Sequence, residues 1–214
     1  MIGDYLRSTL EWQNWGANFS TFVFIVTVIL SCSQQWGVLK QRKTVLDKHS
    51  TKSISIPFIS YSACFGISFL YYGLITKSLA IIFNGSIGFF SVALLLTLNK
   101  VKPFTIRQVL LVFLFFTMIV AMILLREKDD LLFLIMLGYT VVLSHQPFEM
   151  WKKKSVGSVD LRFIIPLLIS ATFWTINAFI IGNWVLQVCC PVNLSTILLV
   201  LGLWFRYRKP NPTS

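Results

Sequence analysis

Charge is what this chain has least of. Asp, Glu, Lys and Arg make up 13% of its 214 residues, against about a quarter in a soluble globular domain. Apolar residues reach 56%, against slightly under half in such a domain. That excludes an ordinary soluble domain. Metal-ligand spacing is missing as well. The four cysteines (Cys32, Cys64, Cys189 and Cys190) show no CxxC or Cys/His pattern. All four stand in apolar stretches and read as small buried apolar residues, and no cofactor is implied. The first 18 residues carry Asp4, Arg7 and Glu11 and have no apolar h-region, so no cleavable signal peptide is expected.

What the chain does have is seven apolar runs, at 19–39, 54–75, 79–98, 109–125, 131–151, 161–182 and 184–205. Each is 17 to 22 residues long, the length at which a helix crosses a hydrocarbon core of about 30 Å. The class expected is therefore an all-α integral membrane protein with seven transmembrane helices, its first partner the lipid bilayer. Seven spans use nearly the whole chain and leave no room for a large soluble domain.

The basic residues set an orientation. Fifteen of the 19 fall on one side, in the connections around Lys40 to Lys52, Lys100 to Arg107, Lys152 to Arg162 and Arg206 to Lys209. Only Arg7, Lys77, Arg126 and Lys128 fall on the other, and with the acids included the balance is +12 against −1. The positive-inside rule then puts the N-terminus outside the cytosol and the C-terminus within it, in a plasma membrane or an endomembrane. The net charge of +11 is thus topological. A nucleic-acid partner would need one continuous basic face, and separate short loops do not make one.

A weak internal repeat organises the spans. Ser50, Ser53 and Phe58 stand in register with Ser155, Ser158 and Phe163; Ser33-Gln34-Gln35 matches Ser144-His145-Gln146; Asn84 and Ser86 match Asn193 and Ser195. The three matches are collinear, one per helix. They divide the chain into an extracytosolic segment (1–18), a three-helix repeat (19–98), a linker helix (99–130), a second three-helix repeat (131–205) and a cytosolic tail (206–214). Because three is odd, a single linker helix is what lets both units run the same way through the membrane. Parallel repeats of this kind are one of the two ways secondary transporters are built.

With those residues in place, the chain resembles the SWEET sugar facilitators of the PQ-loop (MtN3/saliva) superfamily. Lys52-Ser-Ile-Ser-Ile-Pro-Phe58 is similar to that family's Lys-Ser-x-x-x-x-Pro-Phe, one residue shorter. Leu70-Tyr-Tyr-Gly-Leu74 is similar to its Leu-Trp-Tyr-Gly-Leu, and Phe83-Asn-Gly-Ser-Ile-Gly88 to its Ile-Asn-Gly-x-Gly. The Pro-Gln pair departs, reading Gln34-Gln35 in the first unit and His145-Gln146 in the second, with Pro147 displaced; Trp174-Thr-Ile-Asn-Ala178 stands for Trp-x-x-Tyr-Gly. The resemblance implies a 3+1+3 plan and facilitated, uniport diffusion of a small neutral sugar by alternating access through a central pocket.

The residues themselves point to candidate sites. Asn84 and Asn193 are polar groups inside spans, where such groups are expensive and usually face the protein interior or a water path. An amide offers two donors and two acceptors to a hydroxylated ligand; the bland reading is a bond to a neighbouring helix. Ser68, Phe69, Phe173 and Trp174 lie near the midpoints of spans two and six, where rings would stack on a sugar face, though packing or lipid contact competes for each phenylalanine. Asn177 is opposite Tyr72 in the repeat register and is expected to be the milder asparagine. Pro57, Pro147, Pro166 and Pro191, with Gly66, Gly73 and Gly85, are expected to interrupt spans; Pro57, Pro166, Pro147, Gln35 and Gln146 are the gating candidates. Enzymatic chemistry is not expected: the apolar cores hold no carboxylate or ammonium, and His145 with Glu149 is too little for a metal site. A proton-coupled solute carrier would have to use His145. A PQ-loop type transporter of amino acids or other small organic solutes, and a non-transporting receptor, are the alternatives. A homo-oligomer is compatible with the sequence and not required by it.

Overall fold

The computed structural model describes residues 2–49, 55–156 and 161–208. Everything regular among them is helix. A short N-terminal segment forms α1 (Ile2–Arg7) and α2 (Leu10–Gln13). The remainder is α3 (Phe19–Lys48), α4 (Ile56–Thr76), α5 (Leu79–Gly85), α6 (Ile87–Val101), α7 (Ile106–Leu124), α8 (Lys128–Lys153), α9 (Leu161–Ile181) and α10 (Trp184–Tyr207). With α5 and α6 taken as one span, seven helices are long and apolar enough to cross a membrane. The chain has the make-up of a multi-pass, all-helical membrane protein. The serine-rich repeat match at 50–54 and 157–160 lies outside the described residues, as does 209–214 of the tail.

The starts follow from local side chains. An N-cap oxygen takes one of the orphan amides of the first turn. Asn18 does this for Thr21, Ser55 for Phe58, Ser78 for Ile81 and Asn183 for Leu186. Thr105 and Gln108 form a reciprocal capping box at α7. α3 and α4 stop on left-handed residues, His49 at φ 45° and Lys77 at φ 55°.

Two expectations about the spans are corrected. The first helix does not end near residue 39 but runs on to Lys48. Its 30 residues make about 45 Å at 1.5 Å per residue, well beyond a hydrocarbon core. The stretch from Lys40 holds neither Gly nor Pro, and its Lys, Gln, Arg and Leu are good helix formers. Arg42 Nε on this extension donates to Thr97 Oγ1 of α6 at 2.9 Å. The glycines of the second helix do not interrupt it either. α4 is continuous through Gly66 and Gly73, and Pro57 stands in its first turn, where a missing N–H costs nothing. Pro147, Pro166 and Pro191 do lie inside helices.

The chain divides into two compact units, 1–135 and 136–214, with α8 passing from one to the other. In the first, α4 packs against α5, α6 and α7, and α3 packs against α5 and α6. Val45, Ile59, Ala63, Leu94, Leu95 and Leu98 form one core cluster. The linker helix α7 touches α4 through an edge-to-face pair, Tyr61 with Phe115 at 5.3 Å. Most of its other large side chains, Phe113 and Leu114 among them, are exposed, as expected of a helix in lipid. In the second unit α9 packs along α10, and Met150 of α8 joins Ile164, Ile197, Val200 and Leu203 in a separate core.

Glycine carries the tightest contact. A β-carbon on Gly66 would sit 2.4 Å from the Gly88 nitrogen, and one on Gly85 would sit 2.2 Å from the Leu70 nitrogen. α4 therefore meets α5 and α6 backbone to backbone, the approach that small residues permit between membrane helices. Of the glycines that the sequence suggests as breakers, Gly66 and Gly73 serve here as packing surface, whereas Gly85 both packs against α4 and ends α5.

Candidate functional site

The third span is where the first unit departs from regular helix. α5 ends at Gly85, Ser86 is a turn residue, and α6 begins at Ile87. Here the Phe83 carbonyl accepts from the Ser86 hydroxyl at 2.6 Å and from Gln35 Nε2 at 2.6 Å. Gln35 Nε2 is also 2.6 Å from Ser86 Oγ. The first helix thus reaches across to complete the hydrogen bonding of the break in the third. This is where the gating candidate Gln35 stands.

Asn84 is the residue before Gly85, half-buried, and its side-chain amide has no hydrogen-bond partner among the described residues. On the neighbouring α4, Ser68 is fully buried and its Oγ has no hydrogen-bond partner among the described residues. Phe69 is buried too and stacks on Phe65 with centroids 5.2 Å apart. Among its described residues the first unit therefore holds an interrupted span, a free amide and a buried unbonded hydroxyl.

The second unit is built differently. α10 continues unbroken past Asn193, so the break at Asn84-Gly85-Ser86 has no counterpart there. Asn193 is buried, with its Oδ1 2.7 Å from the Thr140 hydroxyl on α8. That hydroxyl also faces the Met136 carbonyl at 3.0 Å. It has one proton for two acceptors unless the amide turns its NH2 toward it. Either way Asn193 links two helices, as small polar groups in membranes do. The two repeat-related asparagines thus differ: one is unbonded at a break, the other is bonded within a packed pair.

On α9, Trp174 is buried and Phe173 half-buried. Gln146 lines a cleft with Leu143, Ile164, Leu167 and Thr196 that has room for little more than one water molecule. Pro147 beside it is buried, while Pro57 and Pro166 are exposed. Glu149 pairs with Lys153 one turn on, and His145 is exposed. Among the described residues no three His, Cys, Asp or Glu side chains group as metal ligands. All four cysteines are free thiols. Cys64, Cys189 and Cys190 are buried, but Cys32 is exposed on α3, against the expectation that all four are buried.

Three features escaped sequence reasoning. Glu11 of α2 accepts from the Ser78 hydroxyl at 2.6 Å and from the amides of Leu79 at 2.8 Å and Ala80 at 3.1 Å. The N-terminal segment is thereby fastened to the start of the third span. Tyr72 donates to Asp129 Oδ1 at 2.6 Å, joining the end of α4 to the start of α8. Asn177 is almost fully buried, and its Nδ2 has no hydrogen-bond partner among the described residues. The first two pairings are 67 and 57 residues apart, and no sequence pattern announces them. Asn177 did carry a signal, an amide inside an apolar run, but the register opposite Tyr72 drew attention away from it. Compared with family models, curated proteins and solved structures, the chain gives no match.

Proposed function

We propose that this protein is a membrane facilitator for a small neutral, hydroxylated solute, a sugar in the first instance. It would lie with its N-terminus outside the cytosol and work by alternating access, without covalent chemistry. The observation that carries the reading is the interrupted third span with the unbonded Asn84 amide beside the break. Discontinuous membrane helices are typical of transporter binding sites, because they leave polar groups inside the membrane for a solute to meet. An uncharged amide suits a ligand that brings hydroxyls and no net charge; a charged solute would call for a counter-charge that the apolar span cores do not offer. The motifs similar to those of the SWEET facilitators support the same substrate class.

The test is uptake into proteoliposomes containing the purified chain, with radiolabelled glucose and a radiolabelled neutral amino acid run side by side. The expected result is glucose equilibration that needs no ion gradient and is largely lost in Asn84→Ala. Uptake of the amino acid alone would replace sugar with the solute-exporter reading. Saturable binding without uptake of either would make the protein a receptor. Wild-type glucose uptake by Asn84→Ala would remove the break from the site.

A further inference from the structure

Asn177 has 1% of its surface exposed, and its Nδ2 has no hydrogen-bond partner among the described residues. A buried amide left unbonded is costly, and nearly all buried polar groups in folded proteins find a partner. Such a group persists where something other than the protein itself satisfies it. The surroundings on α9 support this. Ser170, Trp174 and Asn177 follow at spacings of four and three, which puts them on one face of the helix, and all three are buried. An indole and an amide one turn apart offer what a sugar needs: a flat apolar surface and a hydrogen-bond donor.

We propose that Asn177 is a solute-binding residue whose Nδ2 donates to an oxygen of the ligand, a hydroxyl or ring oxygen of a sugar-like polyol. The repeat register had ranked it as the milder of the asparagines; its burial reverses the order relative to Asn193, whose amide already has Thr140. The inference rests on the facilitator reading and adds to it a specific donor. Since the unsatisfied atom is a donor, the matching ligand atom is an acceptor, and fluorine in place of the hydroxyl should be tolerated better than hydrogen.

The decisive variant is Asn177→Leu, close in size and unable to hydrogen-bond. Glucose uptake in proteoliposomes is measured for the wild type and the variant, with a panel of monodeoxy and monofluoro glucoses as competitors and thermal unfolding in detergent alongside. Losing one hydrogen bond to a desolvated ligand should weaken apparent affinity about 5- to 150-fold. Thermal stability should stay level or rise, because an unbonded polar group has been replaced by an apolar one. One deoxy sugar should compete equally with the wild type and the variant, identifying the oxygen involved. Unchanged affinity in Asn177→Leu, whether or not stability falls, would overturn the assignment while leaving the facilitator reading intact. A wild-type protein that takes up no sugar would remove that reading, and this one with it.

Discussion

Replacing Gly85 by alanine tests whether backbone contact between α4 and the third span organises the first unit. An alanine β-carbon there would lie 2.2 Å from the Leu70 nitrogen, 2.5 Å from its Cα and 2.9 Å from the Gly66 oxygen. Ordinary contact begins at 3.4 Å, so the nearest atom would have to retreat by 1.2 Å. All three neighbours are backbone, and no side chain can rotate to make room. The helices must separate, opening the contacts that Gly66, Gly73 and Gly88 make along the same seam. Overpacking a close-fitted interior costs about 1–3 kcal/mol. At roughly 2–4 °C per kcal/mol for a chain of this size, the midpoint of thermal unfolding in detergent should fall by about 2–12 °C. Gly37→Ala and Gly202→Ala are the controls. Both glycines are helical with nothing within 4 Å of the added carbon, and alanine in a helix is worth about 0.5–1 kcal/mol over glycine. They should hold or raise the midpoint. A Gly85→Ala protein as stable as the wild type would refute the reasoning, because the seam would then be loose enough to admit a methyl group.

Glu11→Ala removes three hydrogen bonds from the start of α5 and should cost about 0.5–2 kcal/mol, the range for losing a helix cap; faster hydrogen exchange at Leu79 and Ala80 would locate the loss, and unchanged exchange there would contradict it. Gln35→Leu deprives the Phe83 carbonyl of its donor from α3, so solute uptake should slow by more than in Gln34→Leu, measured in the same vesicles. A cysteine introduced at Ser214 should resist an impermeant thiol reagent applied to intact cells and react once they are permeabilised; labelling from outside would invert the proposed orientation.

The breaks, caps and pairings divide into those that were legible in the chain and those that were not. Helix starts at Asn18, Ser55, Ser78, Thr105 and Asn183 are readable because a cap acts within three residues of itself. Six of the seven spans come within a few residues of their sequence limits for a similar reason: length and apolarity are local sums. The first helix overran because its membrane-embedded part and its polar extension are both helical, and hydropathy marks only the change of medium. Glycine and proline misled for a related reason. Their intrinsic effect is to weaken a helix, but at Gly66 and Gly73 the contact with α5 and α6 outweighs it, and at Pro57 the first turn makes it harmless.

The sequence by itself determined that the chain is helical and membrane-spanning. It did so because a bilayer without water forces each span to satisfy its own backbone. Which polar groups are occupied was decided only by the tertiary structure. Asn84, Asn177 and Asn193 are the same residue in similar apolar surroundings along the chain, and nothing local separates them. What separates them is a neighbour distant in sequence: Thr140 lies 53 residues from Asn193 and bonds to it, whereas Nδ2 of Asn177 has no hydrogen-bond partner among the described residues. A hydrogen bond needs its partner within about 3 Å, and only the packing of helices decides which side chains come that close.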